Sequence, residues 1–246
     1  VEMRKYMNRI WNIWRMNTSE LIWSLIIMLG GTAFGMVIMS ITLMLGKESY
    51  LVIGSFVALI VWVMVFIFFG VTGFERTFSM AVAMGRTRKE VVICHYIVKL
   101  INVWIGLAVL KILNYAETAY YNIFFKSSVC EGNIIEMLLS NWIFIELGIL
   151  LPVLYMFIGM LLIKFQKKAF WGIWVIWIAS SLTLANISYI KESEGLLRYV
   201  VQVVEHIGNF VVSIGVYGQL AIVAGVAVVL FFITGTALSK QAVTQV

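Results

Sequence analysis

Aspartate is absent from this chain, proline occurs once, and cysteine and histidine twice each. These shortages exclude most enzymatic chemistry. There is no H-E-x-x-H for a metalloprotease, no G-x-S-x-G nucleophile turn, and no G-x-x-x-x-G-K-[ST] loop for a nucleotide. His95 and His206 fall in different segments, too far apart to cooperate, and read as packing or interfacial residues. Cys94 and Cys130 are expected on opposite sides of a membrane, where they cannot pair or build a zinc site. Charge is scarce as well. Only 12% of residues are charged, 62% are hydrophobic, and the mean hydropathy is +1.00, outside the range of soluble domains. The expectation is an all-α polytopic membrane protein that is not itself an enzyme and holds no cofactor or metal.

What is present is a series of apolar runs, each matching the ~20 residues of a span. Six are expected, at about 21–45, 51–73, 91–113, 137–163, 169–190 and 214–237, forming one membrane domain over 21–246. Ahead of them, residues 1–20 put Arg4, Lys5, Arg9 and Arg15 on one side of a helical wheel and Met3, Met7, Ile10 and Trp14 on the other. That pattern describes an amphipathic helix in the membrane interface, with Asn17 to Glu20 capping the helix that follows. Basic residues distribute unequally between the connections. Arg4, Lys5, Arg9, Arg15, Arg76, Arg86, Arg88, Lys89, Lys164, Lys167, Lys168 and Lys240 share one side, against Lys47, Lys126, Lys191 and Arg198 on the other. The richer side is cytoplasmic by the positive-inside rule, which places both termini in the cytosol. The net charge of +6 is thus a topology signal, and nucleic-acid binding is not indicated. Trp11, Trp14, Trp23, Trp171 and Trp174 gather at the same interface.

The outer connections differ. Around Gly46 to Tyr50 a bare turn is expected, and 114–136 is aromatic and polar. Between the fifth and sixth spans, Leu196, Val200, Val204 and Ile207 line one helical face opposite Arg198, Gln202, Glu205 and Asn209, predicting an amphipathic outer helix.

The most informative connection is Phe74 to Glu90. Phe74, Phe78 and Val82 recur every four residues and predict a short helix, which Gly85 ends. Thr87-Arg-Lys-Glu90 then has capping-box spacing, so a fresh helix starts there. A connection that only returned the chain needs no helix, so this one reads as a contact surface.

The small-residue stretch Ala83-Met84-Gly85 followed by Arg86-Thr87-Arg88-Lys89-Glu90 resembles the cytoplasmic coupling helix of bacterial ABC permeases of the type-2 exporter group. The order of elements is similar too: interfacial helix, six spans, coupling helix after span 2, outer helix before span 6. The resemblance implies a permease subunit in the bacterial cytoplasmic membrane that works with a separate ABC ATPase, which binds the ATP and Mg. It also implies a second permease chain, as homodimer or heterodimer, and a small amphipathic or antimicrobial-type peptide as cargo. Phe74, Phe78, Val82, Met84, Gly85, Arg86, Arg88 and Lys89 would form the coupling site. The alternative is a six-helix channel or immunity protein acting without an ATPase.

Two ionisable residues at membrane depth are candidates for the transport path, Lys111 and Glu146. A charge in hydrocarbon costs at least ~2.5 kcal/mol and usually faces a cavity or a partner. Glu146 is about 13 Å from the outer end of its span, too deep for a short side chain to reach headgroups. It can pair with Lys111 or hydrogen-bond as a protonated carboxyl; Lys111 and Lys99 can also snorkel. Gly31-Thr-Ala-Phe-Gly35 and Ala221/Gly225 are small-residue faces for helix packing, and Pro152 should kink the fourth span.

Overall fold

The computed structural model describes residues 2–46, 49–83, 87–125, 129–133, 135–136, 140–185, 199, 201–203, 206, 209–210 and 213–240. Its long elements are helices: α1 (Glu2–Met44), α2 (Ile53–Ala83), α3 (Arg88–Phe124), α4 (Asn141–Phe165), α5 (Lys167–Ala185) and α6 (Gly215–Lys240). Two short strands, β1 (Ser49–Leu51) and β2 (Val129–Gly132), pair in parallel with Tyr50 opposite Cys130. Four stretches are long and apolar enough to cross a membrane: Asn17–Met44, Arg88–Phe124, Trp142–Phe165 and Gly215–Lys240. The chain is therefore an all-α membrane protein.

Several expected breaks do not form. The interfacial helix over 1–20 and the first span are one helix, α1, of 43 residues. At ~1.5 Å per residue it is about 65 Å long, roughly twice the hydrocarbon thickness. Asn17 and Thr18, expected as caps, instead donate back to Ile13 O at 2.8 Å and Trp14 O at 2.9 Å, so the helix runs past them. The helix expected at Phe74 is likewise the last part of α2, because Phe74 and Phe78 are buried and anchor that stretch to the core. Only the restart occurs as expected: Thr87 is extended, and its hydroxyl accepts from the Glu90 amide at 3.4 Å. Helix α3 continues to Phe124 instead of ending near 113, since Asn114, Glu117 and Tyr121 recur at helical spacing on its buried face. The turn at Gly46–Tyr50 carries β1. Of the outer amphipathic helix, residues 199, 201–203, 206 and 209 are described; most of that expectation, with 186–190 of the fifth span, lies outside the described residues.

Packing explains the helix order. Helices α1 and α2 run antiparallel and nearly touch at Gly35 and Gly54. A Cβ on Gly35 would lie 2.5 Å from the Gly54 Cα, and one on Gly54 would lie 2.6 Å from the Thr32 carbonyl. Gly31 sits against Ala58 in the same seam, so the G-x-x-x-G face packs the bundle internally. Aromatic rings fill glycine notches elsewhere: Trp62 at Gly106, Trp104 at Gly148 and Phe74 at Gly159. A Cβ at these three glycines would fall 2.5–2.7 Å from a ring atom. The core runs through α1 to α4, with Met28, Trp62, Phe74, Leu107 and Tyr155 buried, and Leu238 of α6 closes it. Helix α4 continues through Pro152 and carries α5 and α6 on its flanks. On α6, Ala221 is exposed and Gly225 has nothing within 4 Å, so that small-residue face is unfilled among the described residues.

Candidate functional site

Helical spacing builds the site. His95 and Lys99 are one turn apart on α3, so both point inward, and each is fully buried. The Lys99 ammonium donates to both carboxylate oxygens of Glu20 on α1, at 2.7 and 2.6 Å. It also lies 4.3 Å from the ring centroid of Tyr155 on α4. His95 stacks on that ring at 6.0 Å and meets the Phe74 ring of α2 edge-on at 4.7 Å. One lysine thus joins α1, α3 and α4, with α2 adjacent. The expectation that Lys99 snorkels is overturned: a cation that meets a carboxylate and a π-face inside the bundle has no need to reach headgroups.

Glu20 faces two ways. Behind it is Lys99, and in front is an open-sided groove of about 940 Å³ between α1 and α2. The helices touch through Gly35 and Gly54 at one end, and the groove lies toward the other, lined by Trp23 of α1 and Met80 of α2 among others. From α1 it is lined by Asn17, Ser19, Glu20, Trp23 and Ile27, and from α2 by Val65, Arg76, Thr77 and Met80. Behind Glu20, Ser24 and Asn102 border a void of about 10 Å³, roughly the space of one water, and the Asn102 Oδ1 has no hydrogen-bond partner among the described residues.

The residues expected to couple to a partner separate into two groups. Phe74 and Phe78 are 0% and 3% exposed and are spent on the core, and Val82 packs half-buried beside them. Neither phenylalanine presents an open face to a docking groove. A charge at Phe78 should therefore unfold the bundle. Arg88 donates from Nη1 to Ser239 O at 3.2 Å, tying the start of α3 to the end of α6, while Lys89 is exposed. Met84, Gly85 and Arg86 lie outside the described residues. Of the path candidates, the Lys111 ammonium lies 5.5 Å from the Phe144 centroid, and the Glu146 Oε1 is buried with no hydrogen-bond partner among the described residues.

A second carboxylate escaped the sequence reading. Glu117, expected in an outer loop, is fully buried on α3 and accepts from the Gly54 amide at 2.7 Å and from the Ser55 amide and hydroxyl at 2.6 Å. The Tyr121 hydroxyl adds a donor at 3.3 Å. Val52 precedes α2 and has no side-chain acceptor, so Glu117 caps that helix from across the bundle. Nearby, the Tyr50 hydroxyl donates to Asn122 Oδ1 at 3.0 Å; burial, then the Cys130 thiol, raise its pKa above the usual tyrosine value. No local pattern in the sequence marks Glu20 or Glu117 as buried, because the partners of each lie on another helix. Among the described residues no group of three His, Cys, Asp or Glu could hold a metal.

Compared with known proteins, the chain matches no family model, no curated protein and no solved structure.

Proposed function

We propose that the chain is the transmembrane permease subunit of an ATP-driven exporter in the bacterial cytoplasmic membrane, moving small amphipathic or antimicrobial-type peptides outward. Helices α2 and α5 would complete six spans, with both termini in the cytosol. ATP and Mg would be handled by a separate ABC ATPase, and a second permease chain, identical or related, would complete the path.

One observation supports this reading above the others, the way the α2–α3 turn is wired into the bundle. Phe74 and Phe78 lock the end of α2 into the core, Thr87 restarts the chain as α3, and Arg88 clasps the end of α6. A push on this turn is carried directly to three helices, as a coupling surface needs. With both phenylalanines buried, the contact would be made by exposed residues flanking the turn, Ala83 and Lys89.

Ala83→Glu and Lys89→Glu test this. Both should leave expression and thermal unfolding in detergent unchanged, yet abolish co-purification of a partner ATPase and its stimulation by the permease. Full retention of both properties in the double variant would favour a channel or immunity protein working without an ATPase.

A further inference from the structure

We propose that the groove between α1 and α2 binds a phospholipid of net negative charge, with its phosphate on Arg76 and an acyl chain along Trp23, Ile27 and Val65.

Charge complementarity carries the assignment. Among the described residues, two charged side chains line the groove, Glu20 and Arg76. Glu20 is neutralised from behind by Lys99 at 2.6 Å, while Arg76 is exposed. The described lining is therefore cationic. Ser19 lines the groove from α1, and its hydroxyl is a ready donor to a second phosphate oxygen, whereas the Thr77 hydroxyl already donates to Gly73 O at 2.8 Å. Guanidinium is the group best matched to phosphate, because its planar fork donates two parallel hydrogen bonds.

The rest of the groove suits an acyl chain. Trp23 and Ile27 of α1 and Val65 of α2 give it an apolar lining, and about 940 Å³ lies within the range of ligand-sized cavities. Arg76 and Glu20 lie toward the end of the bundle that carries Arg88 and Lys89, whereas Ile27 and Val65 lie deeper along their helices. Head and tail positions are thus ordered as in one leaflet. Trp23 stands between them, 61% exposed, where an indole sits at a membrane interface. A cationic amphipathic peptide suits this groove less well, since Arg76 repels it and Glu20 is already engaged. The inference requires only that these helices cross a membrane and is independent of any ATPase partner.

The test uses the full chain in phosphatidylcholine vesicles containing a small fraction of brominated lipid, either phosphatidylglycerol or phosphatidylcholine. Trp23→Phe isolates the Trp23 contribution to fluorescence quenching. Brominated phosphatidylglycerol should show about fivefold higher occupancy at Trp23 than brominated phosphatidylcholine, the preference one such Arg contact confers. Arg76→Gln should reduce that ratio to one, and Lys89→Gln, an exposed cation outside the groove, should leave it unchanged. Equal quenching by the two lipids overturns the proposal. So does a preference that survives Arg76→Gln, or one that falls equally with Lys89→Gln, which would reflect surface potential alone. Quenching of Trp23 by a nitroxide-labelled cationic amphipathic peptide, but not by the anionic bromolipid, would also overturn it and make the groove a peptide site.

Discussion

At the residue scale, the Glu20–Lys99 pair sets the strongest constraint. Lys99 is fully enclosed, so losing its carboxylate would leave a bare cation in a low-dielectric interior. Removing one partner of such a pair costs about 3–5 kcal/mol, whereas replacing both by apolar groups of similar shape is often neutral. Glu20→Leu and Lys99→Met should each lower the detergent Tm sharply, and the two combined should recover most of the loss. Additive losses in that double-mutant cycle would show that the two residues act separately. Neither partner stands out in the sequence, because Glu20 sits among polar residues that look like a helix boundary. Only the approach of α3 shows that its carboxylate turns inward.

At the element scale, small residues decide where helices meet. Gly31 and Gly35 allow α1 to approach α2 so closely that a single Cβ would meet backbone. Gly35→Leu should therefore prevent the α1–α2 seam from closing, with loss of folded protein on size-exclusion chromatography. Gly225→Leu is the contrasting case, since among the described residues a Cβ at that glycine would meet no packing neighbour within 4 Å. It should fold normally, and a fall in self-association at the same time would identify the α6 face as the meeting surface of two chains. Both motifs were visible in the sequence as small-xxx-small pairs, but spacing alone does not say which is filled. The same limit applies to helix ends. Thr87 was legible as a cap because its partner, Glu90, is three residues away. The cap of α2 was not legible, because Glu117 comes from more than sixty residues later in the chain.

At the scale of the whole molecule, basic residues collect at one end of the bundle, where α2 gives way to α3 and α4 to α5, and the paired strands lie at the other. If the basic end is cytoplasmic, the native Cys130, which is exposed, should react with a membrane-impermeant maleimide in intact cells. A cysteine replacing Lys167 in a Cys94→Ala/Cys130→Ala background should react only after permeabilisation. The opposite labelling pattern would reverse the orientation and remove the α2–α3 turn from the cytosol.

The sequence by itself determined the class of molecule, since long apolar runs with few charges have no stable place outside a membrane. It also determined the approximate positions of the helices, the bias in charge, the Thr87 restart and the glycine faces. All of these are local signals, readable within one helical turn or one run of residues. The tertiary structure alone decided which breaks close up, and that Phe74 and Phe78 belong to the core. It also decided that Lys99 is paired with Glu20, that Glu117 caps a distant helix, and that a groove opens where α1 and α2 diverge. Each of these depends on side chains that are far apart in the chain and meet only when the helices pack, so no local pattern encodes them.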